Sequence, residues 1–119
     1  MISTTFDEAR IGTITSEYDH YLEWKDTYPE ETNPNLKSQE KLIIGVKKEH
    51  LLDLLRNFTV FQDTPKGRVK IVGRYHQFRA VNKIVNLLLT KHKPEERSGI
   101  VWHTQGSGKS LSMVFWYAK

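Results

Sequence analysis

The residues best suited to chemistry are the nine from Trp102 to Ser110, WHTQGSGKS. They follow a short apolar run, Ile100-Val101-Trp102, and precede an apolar segment of helical character, Leu111 to Ala118. Strand, glycine-bearing loop and helix in that order, with Gly-Lys-Ser closing the loop, is the arrangement of a phosphate-binding loop. A triphosphate carries several negative charges that must be held at low desolvation cost. Gly106 and Gly108 have no Cβ, so the backbone can turn inward and approach a phosphate closely. Successive N–H groups then face one anion, and a helix starting near Lys109 adds the positive end of its dipole. The Lys109 ammonium can reach the β- and γ-phosphates, and the Ser110 hydroxyl can join the shell of a Mg²⁺ ion.

The strict GxxxxGK[ST] string asks for a glycine five positions before Gly108, and His103 stands there. The core GxGKS survives. A surface turn could carry the same five letters, but the apolar runs on both sides favour the phosphate loop.

Other elements must position this loop. Tyr75 to Lys91 reads as the strongest helix of the chain, with Phe78, Val81, Val85, Leu88 and Leu89 on one face. At its head stands Arg74-Tyr75-His76-Gln77, about thirty residues before the loop lysine. The Gln77 carboxamide has a donor and an acceptor, the pair that matches adenine N6 and N7, and Tyr75 could stack nearby. A solvated glutamine is the bland alternative.

Upstream, residues 8–15, EARIGTIT, read as a strand, and Asp19 to Lys25 as one or two turns of helix. Residues 26–35 hold two prolines and read as a loop. Ser38 to Lys48 begins a further element interrupted by Gly45, and Lys48 to Asn57 is a helix with a leucine stripe. Phe58 to Phe61 is a short extended run. Thr64-Pro65-Lys66-Gly67 is a turn signal, and a domain boundary is placed there. Arg68 to Gly73 is a short strand or extended lead-in, and Lys93 to Ser98 a polar loop.

Composition sets outer bounds. The 119 residues suffice for one small domain or parts of two. No cysteine is present, which excludes disulfides and thiolate metal sites. No apolar run has the length of a membrane span, and no signal-peptide pattern is visible, so a cytoplasmic location is expected. The net charge of +4 permits nucleic-acid binding without requiring it. Nine residues follow Ser110, too few for the later strands that carry the acidic Mg²⁺ ligand and position water. The expectation is a piece of a longer protein.

RYHQFRAVNKI, a spacer, and SGIVWHTQGSGKSLSM together resemble the R subunit of type I restriction-modification enzymes. More broadly they resemble the first motor domain of superfamily 2 helicase-like translocases. EARIGTIT, the HYLEW region and LLDLLRNFTVF are similar to the same subunit in the same order, so the resemblance spans nearly the whole chain. It also accounts for His103, since these translocases keep no glycine at that position.

The resemblance implies an α/β fold. An incomplete RecA-like strand–loop–helix unit in residues 65–119 would follow a small α+β remnant of a nuclease domain in residues 1–64. It implies that Gln77 reads adenine and that Gly106, Ser107, Gly108, Lys109 and Ser110 bind ATP phosphates and Mg²⁺. In the intact protein, ATP would drive translocation of double-stranded DNA, and a PD-(D/E)xK nuclease would cut it. A methyltransferase subunit and a specificity subunit would be partners. The nuclease's catalytic residues would lie upstream, so no catalytic residue is expected here, and the chain alone is expected to turn over no ATP.

Two other readings remain open. One is a non-catalytic nucleic-acid binder using Lys66, Arg68, Lys70 and Arg74, with Tyr75 for stacking. The other is a different phosphate-loop enzyme such as a small kinase. Glu23, Lys25, Glu40 and Lys41 read as solvated charges. His103 could sense the γ-phosphate or simply pack locally. Trp102 and Trp116 read as core residues flanking the loop, and Trp24 as the cap of a first small cluster. His20, His50 and His92 show no metal-ligand spacing. Apolar faces on the last helix and strand predict poor solubility or oligomerisation.

Overall fold

The computed structural model describes residues 1–5, 7–31 and 33–119. Among them the chain forms two small antiparallel sheets and four α-helices, a mixed α/β arrangement. The first sheet has the order β1 (Ile2–Thr4), β2 (Ala9–Ile11), β3 (Leu22–Glu23). Ile2 faces Ile11 across one ladder, and Ile11 faces Leu22 across the other. Helices α1 (Ser38–Gly45) and α2 (Lys48–Asn57) follow. The hairpin β4 (Thr59–Thr64) and β5 (Gly67–Val72) then leads into α3 (Tyr75–Thr90), and α4 (Lys109–Ala118) closes the order.

The strand expected over 8–15 is shorter, stopping at Ile11, and it gains a partner in β1 that periodicity did not reveal. The helix expected over Asp19–Lys25 is not formed. A single 3-10 turn, Tyr18–His20, precedes β3, because Arg10 and Ile11 offer a ladder to Glu23 and Leu22. Tyr21 and Trp24 are three apart, which suits a helix, yet both reach the interior from this extended path. Of the polar stretch 26–35, residue 32 lies outside the described residues. Residues 93–98 are not wholly irregular either, since Pro94–Arg97 makes a 3-10 turn.

Helix α2 has the bounds its leucine stripe predicts, and α3 runs one residue short of them. Thr64 and Gly67 pair as the last rung of the β4–β5 hairpin. Pro65 and Lys66 make its tip, and Gly67 takes φ 116°, which suits a residue without a Cβ.

One core draws on both sides of that tip. Ala9, Ile11, Trp24, Leu42 and Leu54 share a cluster with Phe58, Phe78, Val81 and Phe115. Phe78 lies at its centre, with ring centroids 4.9 Å from Phe58 and 6.0 Å from Trp24. Phe115 brings α4 onto Phe58 at 5.4 Å. Trp24 is therefore a central core residue and not the cap of a small separate cluster. Gly45 allows this packing, since a Cβ there would lie 2.3 Å from the Trp24 indole nitrogen and 2.5 Å from the Asp26 carbonyl. Buried Asp26 accepts from Arg79 at 2.6 Å, so an ion pair ties residues 24–28 to the first turns of α3.

Two expectations near the loop are corrected. Ile100–Trp102 forms no strand: Ile100 is 92% exposed and Trp102 88%. A parallel strand needs a neighbour to satisfy its backbone, and none of the described strands lies beside it. Trp102 and Trp116 are accordingly not core residues, Trp116 being 47% exposed. On α3, the buried stripe holds Phe78 and Val81, whereas Leu89 is 77% exposed.

Position on one helix thus separates burial from periodicity. Phe78→Ala is expected to cost about 3–5 kcal/mol, the range for emptying a filled aromatic site. Leu89→Ala should stay within about 0.5 kcal/mol of wild type. Urea unfolding of both variants checks the contrast.

Candidate phosphate-binding site

The loop before α4 turns on its glycines. Gly106 has φ 76° and Gly108 has φ 80°, both in the left-handed region that costs a side chain-bearing residue about 1–2 kcal/mol. The Ser107 amide donates to the Thr104 carbonyl at 3.3 Å, closing a turn around Gln105 and Gly106. Gly108 is the N-cap of α4, and its carbonyl accepts the first helical bond, from the Ser112 amide at 3.1 Å. The N–H groups of the first helical turn are left without helical partners, so this end carries the positive dipole.

Lys109, the first residue of α4, folds back across the loop. Its ammonium donates to the carbonyls of His103 at 3.0 Å and Thr104 at 3.1 Å. The His103 and Thr104 carbonyls thus hold the exposed Lys109 ammonium against the loop. Ser110 lies in the first turn of α4 and is exposed.

Helix α3 supports this loop from one side. Gln77 is 2% exposed, and its carboxamide is engaged at both ends. Its Oε1 accepts from the Arg74 amide at 2.8 Å, closing the N-terminus of α3, and its Nε2 donates to the Gly108 carbonyl at 2.9 Å. A Cβ on Gly108 would lie 2.7 Å from that Nε2, so space as well as φ requires glycine there. The neighbouring His76 places Nε2 3.0 Å from the Ser107 carbonyl. Sequence reasoning gave His76 no role; its position beside Gln77 at the helix head is the signal that could have found it.

His103 replaces the first glycine of the strict motif. Its ring meets His76 edge-to-face at 5.0 Å and 89°, which is local packing. Its Nδ1 and the Ser107 hydroxyl are buried atoms with no partner. Burial holds the His103 imidazole below the usual histidine range, and nearby His76 and Lys109 push the same way. A cleft of about 430 Å³ opens over this loop, lined by Arg74, Tyr75 and His76 on one side and residues 102–107 on the other.

Of the site residues read from the sequence, Gly106 and Ser107 line this cleft; Gln77, Gly108 and Lys109 are joined to the loop by hydrogen bonds, and Ser110 follows in the first turn of α4. Of the residues weighed as nucleic-acid contacts, Arg74 lines the cleft, while Lys66 and Arg68 sit at the exposed hairpin end, where Arg68 pairs with Asp63 at 3.4 Å. Among the described residues no group of three or more His, Cys, Asp or Glu could hold a metal ion. No helix is long and apolar enough to cross a membrane.

The chain is similar to several known proteins. Residues 76–119, which include the loop and all but the first residue of α3, match the family profile of the SWI2/SNF2 ATPase. The longer comparison is more particular. The chain is 34% identical over 118 residues to the type I restriction enzyme HindI endonuclease subunit of Haemophilus influenzae, covering 93% of this chain and 11% of that protein. It is 33% identical over 136 residues to the putative type I restriction enzyme MjaIXP endonuclease subunit of Methanocaldococcus jannaschii, covering 94% and 12%. The putative MjaVIIIP endonuclease subunit of the same organism is 38% identical over 86 residues, covering 68% and 8%. Over nearly its whole length the chain belongs with the endonuclease subunits of type I restriction enzymes. It spans about a tenth of the length of these relatives. No solved structure matches it.

The shifted imidazole makes a pH prediction. A histidine held neutral in the folded chain takes up its proton later than in the unfolded chain, so the unfolded state gains protons first as pH falls. Stability is full above the usual histidine range and declines as pH drops through it. His103→Gln should flatten that decline in thermal unfolding followed by circular dichroism between pH 8 and pH 5.

Proposed function

We propose that residues 103–110 bind the phosphates of Mg-ATP, and that the chain is the ATP-binding part of a type I restriction enzyme's motor subunit. The observation that carries this reading is the pair of left-handed glycines immediately before α4, with Lys109 folded across the loop carbonyls. Gly106, Ser107 and Gly108 supply main-chain amides, Lys109 supplies the balancing charge, and Ser110 supplies a hydroxyl to Mg²⁺. Gln77 is engaged at both ends in the ligand-free chain; to read adenine N6 and N7 its carboxamide would give up its bonds to the Arg74 amide and the Gly108 carbonyl.

In the intact protein this site would power translocation of double-stranded DNA, and a nuclease segment would cut it. Residues 1–64 would belong to the end of the nuclease part and residues 65–119 to the start of a RecA-like motor domain. The shared core would join them rigidly. Methyltransferase and specificity subunits would complete the complex. The relatives' names as restriction enzyme endonuclease subunits, together with the SWI2/SNF2 ATPase match, support the assignment.

The proposal includes binding without turnover. Equilibrium dialysis with Mg-ATP should show saturable binding to the purified chain. Lys109→Ala should weaken it by roughly 10- to 100-fold, the size of a lost charge-assisted bond. Unchanged affinity in Lys109→Ala would remove the basis of the reading, and Lys109-dependent ATP hydrolysis by the chain would contradict its inactivity.

A further inference from the structure

The structure shows a second contact from α3 to the phosphate loop. His76 Nε2 lies 3.0 Å from the Ser107 carbonyl oxygen. A carbonyl can only accept, so the imidazole must carry its proton on Nε2. The ring has little freedom to leave this position. Tyr75 meets it edge-to-face at 5.3 Å, and His103 meets it at 5.0 Å. Tyr75 in turn contacts Trp24 of the core at 6.4 Å. A row of rings therefore runs from the interior to the loop.

The next residue, Gln77, holds the next carbonyl, that of Gly108, at 2.9 Å. Two successive loop carbonyls are thus held from one turn of α3. In a planar trans peptide, the carbonyl of one residue and the N–H of the next point in opposite directions. Holding the Ser107 carbonyl towards α3 turns the Gly108 N–H away from it. Holding the Gly108 carbonyl does the same for the Lys109 N–H. Gly108 has no side chain to bias its own dihedrals, so the orientation of these peptide planes is set from outside the loop.

We propose that His76 is a positioning residue for the phosphate loop: its Nε2–H holds the Ser107 carbonyl and so aims the Gly108 amide at the nucleotide's phosphates. This rests on the ATP reading above. In this role His76 acts through the peptide plane between Ser107 and Gly108. Preorganised amides bind an anion better than amides that must first rotate into place.

The test uses the whole 119-residue chain and has two independent parts. The first is the long-range ¹H–¹⁵N spectrum of the ¹⁵N-labelled, ligand-free chain at neutral pH. It is expected to show the Nε2–H tautomer for His76. An Nδ1–H tautomer overturns the proposal, and this part needs no variant to fold. The second is Mg-ATP affinity. His76→Ala is expected to weaken it by roughly 3- to 10-fold, the range of one net hydrogen bond. His76→Gln, whose amide N–H reaches the same carbonyl, restores it. Equal affinities for wild type and His76→Ala overturn the proposal, as does His76→Gln behaving like His76→Ala. Lys109→Ala is the separate control. If it binds Mg-ATP as wild type does, the nucleotide reading fails, while the tautomer still decides whether His76 holds the loop.

Discussion

The bond from the Gln77 carboxamide to the Gly108 carbonyl, 2.9 Å long and buried, is the constraint on which the loop depends. A loop with two left-handed glycines has more freedom than any other stretch of similar length, and that freedom must be removed if the loop is to hold one shape. Gln77 removes it at the point where the loop becomes helix. The same residue closes the N-terminus of α3 by accepting from the Arg74 amide, so one side chain fixes the start of one helix and the start of another. Leaving either end of this buried carboxamide unpaired would carry the full desolvation penalty, which couples the two helix starts energetically.

What anchors Gln77 is the packing of α3 itself. Phe78, its neighbour, stands between Phe58 of the segment before β4, Trp24 of the segment after β3, and Tyr28. Arg79, the next residue, is paired with buried Asp26. The first two turns of α3 therefore receive contacts from the upstream sheet and from the hairpin's base, and return contacts to the phosphate loop. The Thr27 amide also donates to Asp26, so this carboxylate joins the loop after β3 to α3. Residues from the first half of the chain thus set the position of a site that lies wholly in the second half.

Local signals were legible where one principle dominated. The glycines of GSGKS announced a loop with positive φ followed by a helix, and the leucine stripe of α2 announced its bounds. Tertiary context decided the rest. Tyr21 and Trp24 have helical spacing, but a ladder with Arg10 and Ile11 pulled Leu22 and Glu23 into a strand. Ile100 to Trp102 has the composition of a buried strand, but a strand without a neighbour has no ladder to join, and these apolar side chains stand in solvent. Gln77 was legible as a residue with a special position, while its bond to Gly108 was not, because a contact across 31 residues leaves no mark in local periodicity.

The central claim is that the amides of Gly106 to Ser110 face the phosphates of a bound nucleotide. The most direct measurement is a titration of the ¹⁵N-labelled chain with Mg-ATP, followed residue by residue in the amide spectrum. The account predicts saturable downfield shifts of the Gly106, Ser107, Gly108, Lys109 and Ser110 amide protons, as expected when each gains a charged acceptor. Saturable shifts confined to the β4–β5 hairpin, or none at these five amides, would contradict it.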